Sequence, residues 1–291
     1  MSALTPQQAS DLFRQPPERM IEVGNASAVA YRRAGSGPDV LFVHGWPVSG
    51  ATFRALLPHL TPHVTCHVID LPGAGASRFD PSTKLTIGSQ VTAIQRVIDE
   101  LGIDRLAVVG HDSGGLFVRH AVAGDPRIRA VGLIDTEQLR IGLRFRSFLL
   151  AKYTPGLAGA LGMVARSRWI WRRRAVFGAA FHDRSLMDGE FDEFFLRPLG
   201  ESPDQQRVQA SLLRSFDTAY IERLGEVHRA ITAPVQLVWG RHDVFFPVKR
   251  AEEMVRSFPD AKLAVIDDAG TFAHEEKPAE VAAALLPVLK G

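Results

Sequence analysis

The chain reads as an α/β protein: a mostly parallel sheet flanked by helices and interrupted by a helical insertion. Three observations predict it. Short apolar strands alternate with segments of helical spacing, which implies a parallel sheet covered on both faces. That rhythm stops near Glu137, and it resumes at Val235 after about ninety residues with helix-like segments, many arginines and no obvious strand. The chain is 291 residues long and 46% apolar, enough for a large core and too apolar for a disordered chain.

The elements follow in order. Residues 20–23 and 28–33 read as two strands joined by a Gly24-Asn25 turn. Residues 40–43 form a short apolar strand running into His44-Gly45-Trp46-Pro47, and residues 53–60 have helical spacing. Residues 64–69 are strand-like and contain Cys66, a small buried hydrophobe. Ile87, Val91, Ile94, Val97, Ile98 and Leu101 make a 3.6-residue stripe over 86–101, hence a helix. Strand 105–109, helix 116–123 and strand 130–134 complete the first half. After the insertion come strand 235–239, a helix near 248–258, strand 262–266 and helix 279–289. The core is therefore expected at 1–136 and 231–291, with a helical cap at 137–230 over the carboxyl ends of the strands, where open α/β sheets bind ligands.

Composition narrows the function. Lys and Arg number 34 against 32 Asp and Glu, a formal charge of +2, with no basic footprint for nucleic acid. One cysteine excludes an internal disulfide and a cysteine-cluster zinc site. The start of the chain has neither a basic segment nor an apolar run, and no stretch of about 18 apolar residues occurs. A cytoplasmic protein without stable membrane association is expected, as monomer or homodimer. A basic, tryptophan-bearing stretch, residues 166–174, reads as a solvated face balanced by Asp183, Asp188, Glu190, Asp192 and Glu193.

The chemistry centres on Gly110-His111-Asp112-Ser113-Gly114-Gly115, between a strand and a helix. A nucleophile on such a sharp turn needs small residues two places before and after it. Centring on Asp112 puts Gly110 and Gly114 there; centring on Ser113 puts the bulky His111 there. Asp112 is the expected nucleophile, and a serine-type esterase using Ser113 is the off-by-one alternative. An aspartate with an ordinary pKa near ~3.9 is an anion at neutral pH, whereas a serine must be activated by a base.

These residues resemble the α/β-hydrolase superfamily, and the elbow is similar to its aspartate-nucleophile branch of epoxide hydrolases and haloalkane dehalogenases. The resemblance extends to His44-Gly45-Trp46-Pro47 as oxyanion loop and to Asp70-Leu71-Pro72-Gly73-Ala74-Gly75-Ala76-Ser77 after the next strand. It further takes in Trp239-Gly240-Arg241-His242-Asp243 as the strand end bearing the acid, and the loop Gly270-Thr271-Phe272-Ala273-His274-Glu275-Glu276-Lys277-Pro278. It implies an alkyl ester on Asp112, hydrolysed by water that His274 activates. Asp243 would hold the imidazole, with Asp135 as alternative acid and Glu137 a third candidate. Backbone N–H groups of Trp46 and Ser113 would form the oxyanion hole. Epoxide opening is favoured over carbon–halogen cleavage, because two insertion tyrosines, Tyr153 and Tyr220, could assist the departing oxygen and no tryptophan follows the nucleophile. The expected substrate is small and hydrophobic, lined by residues such as Phe145, Phe148 and Leu149. No cofactor or metal is required. A fold-retaining, non-catalytic ligand-binding protein is the alternative of another class.

Overall fold

The computed structural model describes residues 3–24, 26–80, 85–174 and 176–291; Asn25 of the expected turn lies outside them. Eight strands form one sheet: β1 Arg19–Gly24, β2 Ser27–Gly35, β3 Asp39–Val43, β4 Thr65–Asp70, β5 Leu106–His111, β6 Ile128–Ile134, β7 Val235–Gly240 and β8 Ala261–Ile266. Their order is β1-β2-β4-β3-β5-β6-β7-β8. β1 and β2, and β2 and β4, pair antiparallel; all later pairs are parallel. The antiparallel start follows from the hairpin, since only crossovers through helices return a strand in parallel.

Alternation along each strand feeds both faces. Leu41, Val43 and Val108 pack toward helices Ile87–Leu101 and Ser113–Val122. Val40, Phe42 and Val109 pack toward helix Pro278–Leu289. Helix Ile87–Leu101 starts where Thr86 and Ser89 cap each other reciprocally and stops at left-handed Gly102. Cys66 is buried, and burial pushes its thiol pKa up.

Several boundaries differ from expectation. Residues 53–60 are not one helix: a 3-10 turn, Gly50–Phe53, precedes a single turn, Leu57–Leu60. Helix Val248–Val255 is shorter than expected. An N-terminal helix, Pro6–Arg14, was not foreseen, although its Thr5–Gln8 capping box is a readable start signal. Most consequentially, the helix after β5 starts at Ser113, directly behind Asp112.

Between β6 and β7 the described residues hold helices and turns, with no strand. A third cluster fills this insertion, built from Trp171, Phe181, Phe191 and Phe195, and it reaches the core through Phe272. In the basic stretch, Arg172 pairs with Asp188 at 3.1 Å and Arg173 lies over the exposed Trp169 ring. Among the described residues no single helix is long and apolar enough to cross a membrane.

Candidate active site

Asp112 sits at the turn between β5 and helix Ser113–Val122 with φ 49° and ψ −134°. A non-glycine residue there costs about 1–3 kcal/mol and persists only where the surroundings impose it. The imposition is steric. A Cβ on Gly110 would meet Gly115 Cα at 2.6 Å, and one on Gly114 would run into the His44 carbonyl oxygen. Small flanks let β5, the helix and the loop after β3 close around the carboxyl group.

That carboxyl occupies a donor pocket. Trp46 N–H donates to Asp112 Oδ2 at 2.9 Å, and the Ser113 N–H also stabilises the carboxylate. His44 sets the Trp46 loop: its Nδ1–H meets Gly45 O at 2.8 Å, and its Nε2 accepts from Leu71 N at 2.8 Å. Burial raises the Asp112 pKa well above its ordinary range, the nearby Glu137 charge raises it further, and the two N–H donors oppose both.

The cavity above Asp112 is apolar, with Phe145, Phe148, Leu149 and Phe216 among its walls. Its polar side chains are Ser113, Glu137 and Thr271, besides Asp112 itself. Among the described residues, no histidine and no tyrosine lines it.

The structure does not bring His274 to Asp112, which corrects the expected base. Its ring is fully buried between Phe53, at 5.4 Å, and His111, at 4.3 Å. Nε2 is hydrogen-bonded to Thr52 Oγ1 at 2.8 Å, and Nδ1 has no partner. Burial, with the neighbouring His111 and Arg54, holds its pKa well below 6.5, so the imidazole is neutral. The physical reason is spacing. Residue 274 lies in the helical turn Ala273–Glu276, which faces the core, whereas residue 271 precedes it and faces the cavity.

Thr271 stands where the imidazole was expected. Its Oγ1–H donates to Asp243 Oδ1 at 2.8 Å, and its carbonyl accepts from His111 Nε2 at 2.9 Å. His111 is kept neutral by burial, its pKa lowered to about 3. Asp243 Oδ1 also accepts from the Phe245 and Phe246 N–H groups, at 2.8 and 2.9 Å. Burial pushes Asp243 up to about 7. Asp135 lies behind it: one oxygen accepts from Gly240 N at 2.7 Å and the other from Ala273 N at 3.4 Å. Its carboxyl is fully buried, and its pKa is raised by burial and by the Asp243 charge. Both acid candidates therefore form one buried pair that faces a hydroxyl.

Glu137, the third acid candidate, lies beside Asp112. Thr136 Oγ1 is 2.7 Å from the Asp112 carbonyl, 3.0 Å from Glu137 Oε2, and receives Arg119 Nη2 at 3.0 Å. A hydroxyl has one hydrogen, and the carbonyl can only accept it. Where that hydrogen turns to Oε2 it favours the Glu137 carboxylate, as the buried Arg119 does, while burial, the largest influence, raises the Glu137 pKa above its ordinary value. Arg119, lowered to about 10 and still a cation, spends its N–H groups on the Gly115 and Glu137 carbonyls, Thr136 and His228.

The tyrosine expectations are not met. Tyr153 is 72% exposed. Tyr220 packs edge-on against His120 at 4.9 Å, with its hydroxyl toward Gly88. Ser113 Oγ is buried without a hydrogen-bond partner among the described residues. A possible metal-binding trio, His182, His242 and Asp268, is exposed and contributes nothing to the cavity wall.

A sharp strand–turn–helix bend that carries a carboxyl into a pocket of N–H donors, on a mostly parallel sheet, defines a hydrolase-type α/β fold. The chain belongs to the α/β hydrolase fold family, whose model matches residues 38–278. A pimeloyl-[acyl-carrier protein] methyl ester esterase of Xanthomonas campestris is 38% identical over 100 residues, which cover 34% of this chain and only 37% of that esterase. An uncharacterised Mycobacterium tuberculosis protein is 25% identical over 274 residues, 91% of this chain and 79% of its own. Among solved structures, an α/β hydrolase fold protein from Burkholderia ambifaria superposes with TM-score 0.75 at 23% identity, over 92% of this chain and 99% of that one. Epoxide hydrolase CorEH gives 0.75 at 21% identity, over 92% and 96%. At such identities the likeness is one of fold.

Proposed function

We propose that the protein is a hydrolase that opens an epoxide, presented in a small apolar cavity, to a diol, with Asp112 as nucleophile and Glu137 as the single proton carrier. The observation that carries this reading is that Asp112 and the buried Glu137 line one apolar cavity, which among the described residues no imidazole lines. Coupled carboxyls in such a site divide into an anion and an acid. The Trp46 and Ser113 donors favour the anion on Asp112, and burial favours the proton on Glu137 against Arg119 and Thr136.

Asp112 attacks an epoxide carbon, the carbon–oxygen bond breaks, and the Glu137 proton passes to the departing oxygen. The product is a hydroxyalkyl ester beside an anionic Glu137. Glu137 then takes a proton from water, and the hydroxide adds to the ester carbon. Negative charge collects on the oxygen facing Trp46 and Ser113, where each donor is worth about 3 kcal/mol. The intermediate collapses, the leaving alkoxide takes the proton from Glu137, and the acid proton left on Asp112 returns to Glu137. One residue thus serves as acid and then base, as in retaining glycoside hydrolysis.

Carbon–halogen cleavage fits less well. A halide needs N–H donors rather than a proton, and the Trp46 indole N–H is directed at Gln209 O, at 3.4 Å. The test is intact-mass analysis after exposure to a panel of terminal epoxides and matched alkyl bromides. Diol formation and an adduct on Asp112 with epoxides, both lost in Asp112→Asn, are expected. Bromide release without diol formation, or a full rate in Asp112→Asn, overturns the proposal.

A further inference from the structure

The cavity over Asp112 has a volume of about 70 Å³. That is far below the roughly 300–1,000 Å³ of sites that enclose a whole small molecule. It holds a reacting group and leaves the rest of a substrate outside. A second cavity of about 920 Å³ adjoins it, and the two share Trp46, Phe148, Phe177 and Phe245 as walls. Phe148 is central to this partition, its ring 5.3 Å from Trp46 and 6.2 Å from Phe245.

The outer chamber is built for a chain. Helix Leu157–Arg166 lines it with Leu157, Ala160, Leu161 and Val164, whose spacing makes one apolar stripe. Among its described lining residues, the charged ones are Arg144 and Arg250, and no carboxylate accompanies them. The Arg144 guanidinium lies 5.7 Å from the centre of the Phe245 ring and contacts the Arg174 carbonyl. Arg250 Nη1 donates to the Arg140 carbonyl at 3.0 Å. Each spends one N–H on a neutral carbonyl, and a guanidinium carries five donors in a fork suited to a carboxylate.

We infer that the outer chamber binds an aliphatic chain ending in a carboxylate, with Arg144 and Arg250 holding the anion and the chain running past Phe148 toward Asp112. This deepens the proposed reaction by naming its substrate class, and rests on that reading only for the head that meets Asp112. Arg144, over the Phe245 ring, and Arg250 repel a cationic end and hold a carboxylate more tightly than a neutral one, so the anion sets selectivity and the stripe sets chain length.

Titration calorimetry of the intact chain with decanoate, 1-decanol and decyltrimethylammonium, all below their aggregation concentrations, tests the inference. None carries an electrophilic carbon, so the result does not depend on ester chemistry at Asp112. Decanoate is expected to bind one to one, at least tenfold tighter than the alcohol, with the ammonium ion weakest. Arg144→Ala and Arg250→Ala should each weaken decanoate about tenfold and leave the alcohol unchanged. Equal affinity for decanoate and decanol, or no decanoate binding, overturns the inference; failure of the epoxide assays alone leaves it standing.

Discussion

The turn after β5 and the loop after β8 face the same cavity, and they differ in kind. The first is fixed by backbone. Gly110 and Gly114 admit a crowded bend, and Asp112 pays for its positive φ with a carboxyl held by two N–H donors. The second is fixed by side-chain register. Thr271 enters the cavity, while His274, three residues on, turns into the core. The contrast teaches that backbone sterics fix where the Asp112 carboxyl sits, whereas side-chain register decides which residue of a loop meets it. In the proposed reaction the proton carrier is Glu137, at the end of β6, rather than a residue of the loop after β8.

The comparison breaks most directly at Glu137. In the proposed reaction Glu137→Gln removes the acid and the base together, and a general acid–base group contributes about 10²- to 10⁴-fold. Turnover of an epoxide is expected to fall by that factor, and any ester that forms should persist on Asp112 by mass spectrometry. Unchanged turnover would place proton transfer elsewhere.

Thr271→His sharpens it from the other side. Asp243 already accepts a hydrogen bond from position 271, at 2.8 Å, and would hold an imidazole there. In the Glu137→Gln background this second substitution should speed ester breakdown by about tenfold or more, read as decay of the adduct. An adduct of unchanged lifetime would mean that position 271 does not address the ester.

A third expectation concerns stability. The folded chain holds the Glu137 carboxyl above its ordinary 4.5. It therefore keeps a proton that the unfolded chain releases as pH climbs past that value. The contribution is fully present below pH 4.5 and is lost as pH rises through the folded value. Urea unfolding between pH 4.5 and 8 should show Glu137→Gln losing less stability than the parent across this window; parallel curves would remove the buried proton from the account.

The smallest effect belongs to His274. His274→Gln should change turnover by less than about twofold while costing about 1 kcal/mol, through the lost Thr52 hydrogen bond, in denaturant unfolding. A loss of turnover like that of Glu137→Gln would restore the imidazole to the mechanism.

What the sequence carried follows the same division. Alternation of apolar runs places the parallel strands within a residue or two, because strand and helix periods differ sharply. Asp112 is legible because its neighbours must be small, a requirement written in residue types. Phe145, Phe148 and Leu149 line the cavity as expected, since long apolar stretches of an insertion must be buried somewhere. The base is not legible in that way. A histidine near Gly270 satisfies a pattern, but which of residues 271–274 faces the cavity depends on where the Ala273–Glu276 turn begins. Tyr153 and Tyr220 fail for a related reason: distance along the chain from Asp112 does not fix direction. Glu137 sits two residues past Asp135 at the end of β6, and only the shared hydroxyl of Thr136 reveals its closeness to Asp112.

Single turnover in H₂¹⁸O tests the central claim most directly. With enzyme in excess over a terminal epoxide, the account predicts that the diol carries only ordinary oxygen and that the label appears in the Asp112 side chain, found by peptide mass analysis. Label in the first-turnover diol, with none in the peptide bearing Asp112, would mean that water attacks the substrate directly and that no ester forms.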